Sequence, residues 1–89
     1  MAYIDPRMVQ SPKGRVENLE VVYDGGEYSY SVARMTWDKS PGAIGVRWNG
    51  GEGEGVGNPQ SRGVATWFIL PEPIAKMVEA NPSNLKDTA

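Results

Sequence analysis

"VENLEVVYDGGEYSYSVARMTW", residues 16–37, decides the fold because two β-prone runs flank the pair Gly25-Gly26. Glycine readily adopts the positive φ that both central positions of a two-residue hairpin turn require. Valine, tyrosine and tryptophan, which are frequent in β-strands, occur on both sides of the pair. The stretch therefore predicts an antiparallel β-hairpin with its turn at the two glycines.

Two further strands are predicted downstream of this hairpin. "AIGVRWN", residues 43–49, follows the turn sequence "DKSPG" and contains enough β-prone residues for a third strand. "VATWFIL", residues 64–70, is almost continuously apolar, which is typical of a strand that is covered on both faces. The two runs extend the hairpin to four consecutive antiparallel strands.

"PEPIAKMVEAN", residues 71–81, predicts a short amphipathic helix after the strands. Ile74, Met77 and Val78 have helical spacing, and Pro73 suits a first helical position. The predicted fold class is therefore α+β, a strongly curved four-stranded antiparallel β-meander followed by one C-terminal helix. The alternative is a small SH3- or OB-like barrel, closed by an additional strand from the N-terminal arm.

We predict one domain with less ordered segments at both ends. Residues 1–14 are polar and show no periodicity, which indicates an extended or loosely ordered N-terminal arm. The domain occupies residues 15–81 and includes a flexible glycine-rich loop over residues 49–63. Residues 82–89 are polar and predict a frayed tail.

The glycine-rich loop does not have the context of a phosphate-binding loop. A strand follows it instead of a helix, it contains no lysine, and Glu52 and Glu54 would repel phosphate. We interpret it as a long connection. Its end, "NPQSRG", offers several hydrogen-bonding side chains that could close over the sheet.

The predicted register brings two arginines together. A two-residue turn at the glycine pair places Tyr28 and Tyr30 on the face that carries Arg34, and places Arg34 opposite Glu17. Matching apolar residues across the second hairpin places Arg47 on the other side of Arg34. Like charges directly opposite each other destabilise a sheet, so either an ion pair with Glu17 or a bound anion such as phosphate is expected to compensate.

The second strand presents apolar side chains on both of its faces. One face carries Tyr28, Tyr30 and Val32, whereas the other carries Ala33, Met35 and Trp37. A β-bulge near residues 32–34 would place both sets in one core. Without it, the second surface is a dimer interface or a ligand-binding face, and either aromatic set could be the core.

The composition limits the chemistry of the chain. Its 89 residues make one domain with a small core. The chain has no cysteine and no histidine, so we expect no metal site, no cofactor and no enzymatic activity. A net charge of -2 opposes strong non-specific attraction to nucleic acids or membranes. Because no apolar stretch has the length of a signal peptide or a membrane span, we expect a soluble, cytoplasmic protein.

The β-β-β-β-α order, together with "MTWDKSPGAIGVRW" at residues 35–48, resembles the family of single-stranded-DNA-binding transcriptional coactivators typified by positive cofactor four. The likeness covers roughly residues 16–80. It implies a curved sheet followed by a helix, dimerisation through the helices, and binding of unpaired nucleic acid across the sheet.

The resemblance also implies a set of nucleic-acid-binding residues. Basic side chains of the second strand, the third strand and the turn between them would contact the nucleic-acid backbone, and tyrosines would stack on bases. The residues concerned are Arg34, Arg47, Lys39, and Tyr28 or Tyr30. Independently of the resemblance, Arg62 in the glycine-rich loop is a further candidate, because the loop could bring it to the sheet.

We therefore expect a small non-enzymatic binding module for single-stranded nucleic acid that uses a basic and aromatic sheet face. The alternative is a protein–protein interaction or regulatory module that uses an exposed apolar surface or a sheet edge. The acidic balance favours the alternative, and the predicted arginine pair favours nucleic acid. A homodimer is compatible with both.

Overall fold

The computed structural model describes residues 4–53 and 55–80. Its elements, in chain order, are a 3₁₀ helix at Pro6–Met8, the strands β1 (Val16–Asp24), β2 (Tyr30–Trp37), β3 (Ser40–Trp48), β4 (Gln60–Ser61), β5 (Val64–Ala65) and β6 (Phe68–Ile69), and the helix α1 (Glu72–Ala80). Strands β1, β2, β3 and β6 form an antiparallel sheet in that order, and β4 pairs with β5. The four-stranded sheet and the C-terminal helix confirm the predicted α+β class. The sheet is not closed, so the barrel alternative is wrong.

The first hairpin has a longer loop than the glycine pair predicted. The N–H of Gly25 donates to the carbonyl of Tyr30 at 2.9 Å, and the N–H of Gly26 donates to Oδ1 of Asp24 at 2.9 Å. These bonds close a loop over residues 25–29, which lie between β1 and β2. An Asp side chain that caps its own turn in this way is a frequent alternative to a two-residue turn.

The longer loop changes the register of β1 against β2. Arg34 is opposite Glu20 instead of Glu17. β1 also has register irregularities, one of them between Val21 and Tyr23. The β-bulge predicted near residues 32–34 of β2 is instead in β1, between Val21 and Tyr23. This segment of β1 lies directly opposite that part of β2.

The second hairpin has a tight turn that the sequence did not suggest. Asp38 and Lys39 have φ values of 50° and 71°, the left-handed conformation of a type I′ turn. With this turn Arg34 lies opposite Ile44, so the predicted pairing of Arg34 with Arg47 is wrong. Because the observed and predicted registers differ by an odd number of residues, the two arginines lie on opposite faces of the sheet.

The predicted fourth strand is divided in two. Residues 64–65 pair with β4 and residues 68–69 pair with β3. Residues 66–67, between them, belong to neither strand. Trp67 lies in this interruption, where its side chain is buried and its indole Nε1–H donates to the carbonyl of Val9 at 2.7 Å. Burial of the tryptophan against the N-terminal residues accounts for the interruption of the strand.

Apolar side chains cover both faces of β2. The buried members of one cluster are Val9, Val16, Ala33, Met35, Ala65 and Trp67. Those of the other cluster are Val32, Ile44 and Ala75. The face with Ala33 and Met35 is thus core against the N-terminal residues, whereas the other face is core only where α1 covers Val32, and Tyr28 is exposed. The two sets do not form the single core that the predicted bulge would give.

The N-terminal arm is part of this core. Val9 is only 1% exposed, and the 3₁₀ helix contacts β1. Residues 4–9 of the predicted arm are therefore packed against the sheet, because burial of Val9 removes an apolar side chain from water, whereas most of residues 10–14 are exposed. The predicted tail, residues 82–89, lies outside the described residues.

The helix packs through a different face from the one predicted. Ala75 is buried and Val78 is half-buried against the sheet, whereas Ile74 and Met77 are exposed. Glu79, one helical turn beyond Ala75, pairs with Arg34 on β2. This ion pair fits the observed orientation of α1, which covers the end of the sheet near Ile44.

Candidate functional site

The helix α1 covers only one half of the sheet face that carries Val32 and Ile44. The other half of that face carries a group of exposed aromatic side chains. Trp48 is 60% exposed, Phe68 58% and Tyr28 55%. Such a concentration of large apolar groups at the surface of a small domain is characteristic of binding sites. We call the surface formed by Tyr28, Tyr30, Val46, Trp48, Phe68, Asn58 and Pro59 the aromatic face.

Pairing between β2 and β3 positions the centre of the aromatic face. Tyr30 lies directly opposite Trp48, and their rings meet edge to face with centroids 6.2 Å apart. Tyr23 supports Tyr30 from β1, at a centroid distance of 5.0 Å. Aromatic pairs of this kind contribute about 0.5–1.5 kcal/mol each beyond the area they bury. The row of three rings therefore holds the exposed Trp48 in a defined position.

Two clefts lie on either side of Trp48. The first has a volume of about 420 Å³ and is lined by Tyr30, Val46, Arg47, Trp48, Asn58, Pro59 and Phe68. The second has a volume of about 320 Å³ and is lined by Tyr28, Ser29, Trp48, Gly50, Gly57 and Asn58. Trp48 and Asn58 belong to both linings, so the clefts adjoin and share one wall.

The edge of the sheet beside the clefts is already paired. The N–H of Trp48 donates to the carbonyl of Asn58 at 2.7 Å, and the N–H of Asn58 donates back at 3.2 Å. Further along β3, Val46 is paired with Phe68. The main chain of β3 is therefore occupied along the length of the aromatic face.

Arg47 anchors the loop that forms one side of the first cleft. Its guanidinium donates to the carbonyls of Thr66 at 2.5 Å, Pro59 at 3.3 Å, and Val56. The residue is 2% exposed, and this burial lowers the pKa of the guanidinium. Arg47 is thus a structural donor beneath the surface, which places it outside the exposed basic face that the sequence predicted.

The glycines of the loop are required where the chain passes close to other backbone. Gly57 has a φ of 77°, and a Cβ there would overlap the carbonyl of Trp48. At Gly51 a Cβ would overlap the ring of Tyr28, whose hydroxyl donates to the carbonyl of Glu52 at 2.8 Å. The segment predicted as a flexible connection is thus packed against the rim of the second cleft.

The other basic residues predicted to bind nucleic acid lie away from the clefts. Arg34 donates to Glu79 at 3.1 Å and lies 3.5 Å from Glu20, at the end of the sheet that α1 covers. Lys39 is in the turn at the opposite end of β3 from Trp48, and Arg62 is in the turn between β4 and β5. The structure therefore brings together the two predicted tyrosines and disperses the four predicted cations.

Two glutamates lie near Tyr28, which lines the second cleft. Oε2 of Glu27 accepts the N–H of Glu52 at 3.1 Å, and both glutamates are exposed. The main-chain carbonyl of Glu52 accepts the hydroxyl of Tyr28, so the Glu27 carboxylate lies near the end of that ring. This end of the aromatic face therefore has acidic side chains close to it.

Sequence reasoning missed most of the aromatic face. It did not single out Trp48, and it placed Phe68 within a strand covered on both faces. The signal that could have identified Trp48 is its spacing from Ile44 and Val46, because alternate residues of a strand share one face. The spacing shows which face of the sheet Trp48 lies on. It does not show how much of that face α1 covers, so it does not by itself predict that Trp48 is exposed.

Within residues 4–53 and 55–80, no group of three or more acidic side chains is placed to hold a metal ion. None of the helices in the described part of the chain is long and apolar enough to cross a membrane. Comparisons with protein-family models, with curated proteins and with solved structures found no match. The resemblance to the single-stranded-DNA-binding coactivators accordingly stays a prediction.

Proposed function

We propose that the protein is a non-enzymatic interaction module whose aromatic face binds a segment of another protein. The observation that carries this proposal is the pair of adjoining clefts around the exposed Trp48. Exposed tryptophan and tyrosine supply large contact areas with few rotatable bonds, which is why they dominate the energetics of protein interfaces.

The distribution of charge favours a protein ligand over nucleic acid. Nucleic-acid binding relies on cations that neutralise phosphates. Arg34 already faces two glutamates and Arg47 is buried, while Glu27 and Glu52 lie near Tyr28. The surface thus offers apolar contact area without the basic groups that phosphates require.

Single-stranded nucleic acid is the second candidate ligand. Tyr28 and Trp48 are exposed aromatic rings on one surface, and such rings can stack on bases of any sequence. With carboxylates at its border, a site of this kind would bind weakly and only at low salt.

The hydroxyl groups near the site support a non-enzymatic role. Ser31 is completely buried, and its Oγ lies 2.7 Å from Oδ1 of Asn49. A serine nucleophile needs an adjacent general base and access to substrate. Ser31 has the Asp24 carboxylate at 3.5 Å, but it is completely buried, so no substrate can reach its hydroxyl, which instead ties β2 to the end of β3.

Truncation of Trp48 is the direct test. We expect Trp48→Ala to weaken binding to peptides selected from a displayed random library on the wild-type protein by at least about tenfold, because the indole forms a wall of both clefts. The measurement is an amide NMR titration, which also reports whether the fold is intact. Met77→Ala is the matched control, since Met77 is 69% exposed and lies on α1 outside the aromatic face.

A parallel titration uses a thymidine oligonucleotide at low and then moderate salt. If the oligonucleotide shifts the amides around Trp48 at moderate salt and no peptide does so, nucleic acid is the ligand and the proposal fails. Equal peptide affinity of Trp48→Ala and wild type would also contradict it.

A further inference from the structure

The two clefts also indicate the chemistry of the segment that binds. We propose that the aromatic face takes up an extended, proline-containing segment of a partner protein, with a lysine or arginine of that segment placed over Glu27 and Glu52. This inference rests on the proposed function, because it specifies the ligand of the same site.

The paired edge of β3 determines how the segment is held. A peptide that adds a strand needs free N–H and C=O groups at a sheet edge. The Asn58 main chain and β6 already occupy those of β3 beside the clefts. Beside the clefts the segment therefore binds through its side chains and not by main-chain pairing with β3.

The shape of the aromatic face favours a narrow segment over a helix. The exposed indole of Trp48 stands between the two clefts as a shared wall. An α-helix with its side chains is about 10–12 Å in diameter and cannot enter both clefts across such a wall. A polyproline II segment is thinner and repeats every three residues, so that successive groups of residues can occupy successive clefts.

The composition of the shared wall suits this conformation. Polyproline II has no internal hydrogen bonds, so its carbonyls are free to accept. Trp48 brings an indole N–H to the wall and Asn58 brings a side-chain amide. Proline rings dock in aromatic-lined grooves of this kind, and they lose little conformational entropy on binding.

The carboxylates determine which end of the site takes a cation. Glu27 and Glu52 flank Tyr28, whose ring is 55% exposed. A cation above that ring is attracted both by the carboxylates and by the face of the ring. Tyr28 belongs to the second cleft and not to the described lining of the first. The basic residue therefore belongs at the second cleft, over the ring of Tyr28, and the proline-containing part at the first.

Three synthetic peptides of equal length test the inference by NMR titration. The first contains repeated prolines followed by arginines, the second has glutamates in place of those arginines, and the third keeps the arginines but replaces the prolines by alternating valine and threonine. We expect the first peptide to shift the amides of Trp48 and Tyr28, the second to bind at least about tenfold more weakly, and the third not to bind the aromatic face.

Substitution of the two glutamates tests the charge contact. In a Glu27→Gln, Glu52→Gln variant we expect the affinities of the first and second peptides to converge. A glutamine at position 27 can still accept the main-chain N–H that Glu27 accepts, so the loop is retained. Glu72→Gln, at an exposed position on α1, is the matched control and should keep the wild-type preference.

The outcomes separate this inference from the proposed function. Binding of the third peptide alone at the aromatic face would overturn the proline-rich ligand and leave an interaction module. Equal affinity for the first two peptides in the wild type would overturn the charge contact. Self-association that broadens the amides of Tyr28 and Trp48 without peptide would identify a second copy as the occupant. Failure of all peptides, including library-selected ones, would overturn the proposed function as well.

Discussion

Replacement of Arg47 by methionine is expected to lower the free energy of unfolding by about 2–4 kcal/mol. Methionine fills a similar volume but donates no hydrogen bond. The carbonyls of Val56 and Thr66 then lose the guanidinium donor, whereas the carbonyl of Pro59 keeps the N–H of Thr66 at 3.0 Å. Each unsatisfied carbonyl costs about 1–3 kcal/mol, and removal of the desolvated charge offsets part of that loss.

Arg34→Met is the matched control for this effect. The side chain of Arg34 is 45% exposed, and its partners Glu20 and Glu79 are exposed as well. Exposed ion pairs contribute about 0–1 kcal/mol, so this variant should unfold close to the wild type. Urea denaturation followed by tryptophan fluorescence measures both variants. If Arg47→Met were as stable as Arg34→Met, water would satisfy the loop carbonyls and Arg47 would not be the anchor.

The order of the elements could be predicted because it depends on local patterns. Two β-prone runs on either side of the glycine pair predicted the hairpin, and helical spacing after residue 71 predicted α1. These signals come from neighbouring residues and do not require knowledge of the tertiary structure. The α+β class followed from them directly.

The register could not be predicted because turn geometry decides it. The Gly25-Gly26 pair suggested a two-residue turn, but the Asp24 side chain stabilises a longer loop there. The tight turn is instead at Asp38 and Lys39, residues that seldom adopt positive φ. A change of register by an odd number of residues moves every side chain to the other face, and the predicted arginine pair was lost in this way.

The candidate site depends on contacts between distant parts of the chain. Arg47 is buried because carbonyls from residues 56, 59 and 66 surround it, and no local pattern indicates this. Trp48 is exposed because α1 ends its coverage of the sheet near Ile44. Tyr28 and Tyr30 each line one of the two clefts beside Trp48, with Glu27 near Tyr28 and the buried Arg47 beside Tyr30, an arrangement that no local pattern indicates.

Substitution of alanine for Gly57 is expected to cost about 3–4 kcal/mol of folding free energy. Two effects add at this position. A left-handed conformation costs an L-residue about 1–2 kcal/mol. The added Cβ would also overlap the Trp48 carbonyl and lie 2.6 Å from the backbone nitrogen of Gly50, and backbone atoms on both sides leave little freedom to relax.

Gly53→Ala separates these two effects. Gly53 lies in the same loop with a φ of 86°, but a Cβ there would meet nothing within 4 Å. This variant should therefore show only the conformational cost of about 1–2 kcal/mol. Urea denaturation of both variants measures the difference, which we expect to be about 2 kcal/mol. Equal destabilisation would mean that the loop moves to accommodate the Cβ of residue 57 and that its approach to Trp48 is not required.

The same pair of variants connects the loop to binding. Gly57 precedes Asn58, whose main chain pairs with Trp48 and whose side chain belongs to the wall shared by the clefts. Displacement of Asn58 would open that wall, so Gly57→Ala should lose peptide binding even under conditions where it is folded. Gly53→Ala should keep it, because a Cβ at residue 53 meets no atom within 4 Å and Gly53 itself is in the lining of neither cleft. Retained binding by folded Gly57→Ala would show that the aromatic rings suffice without the glycine-rich loop.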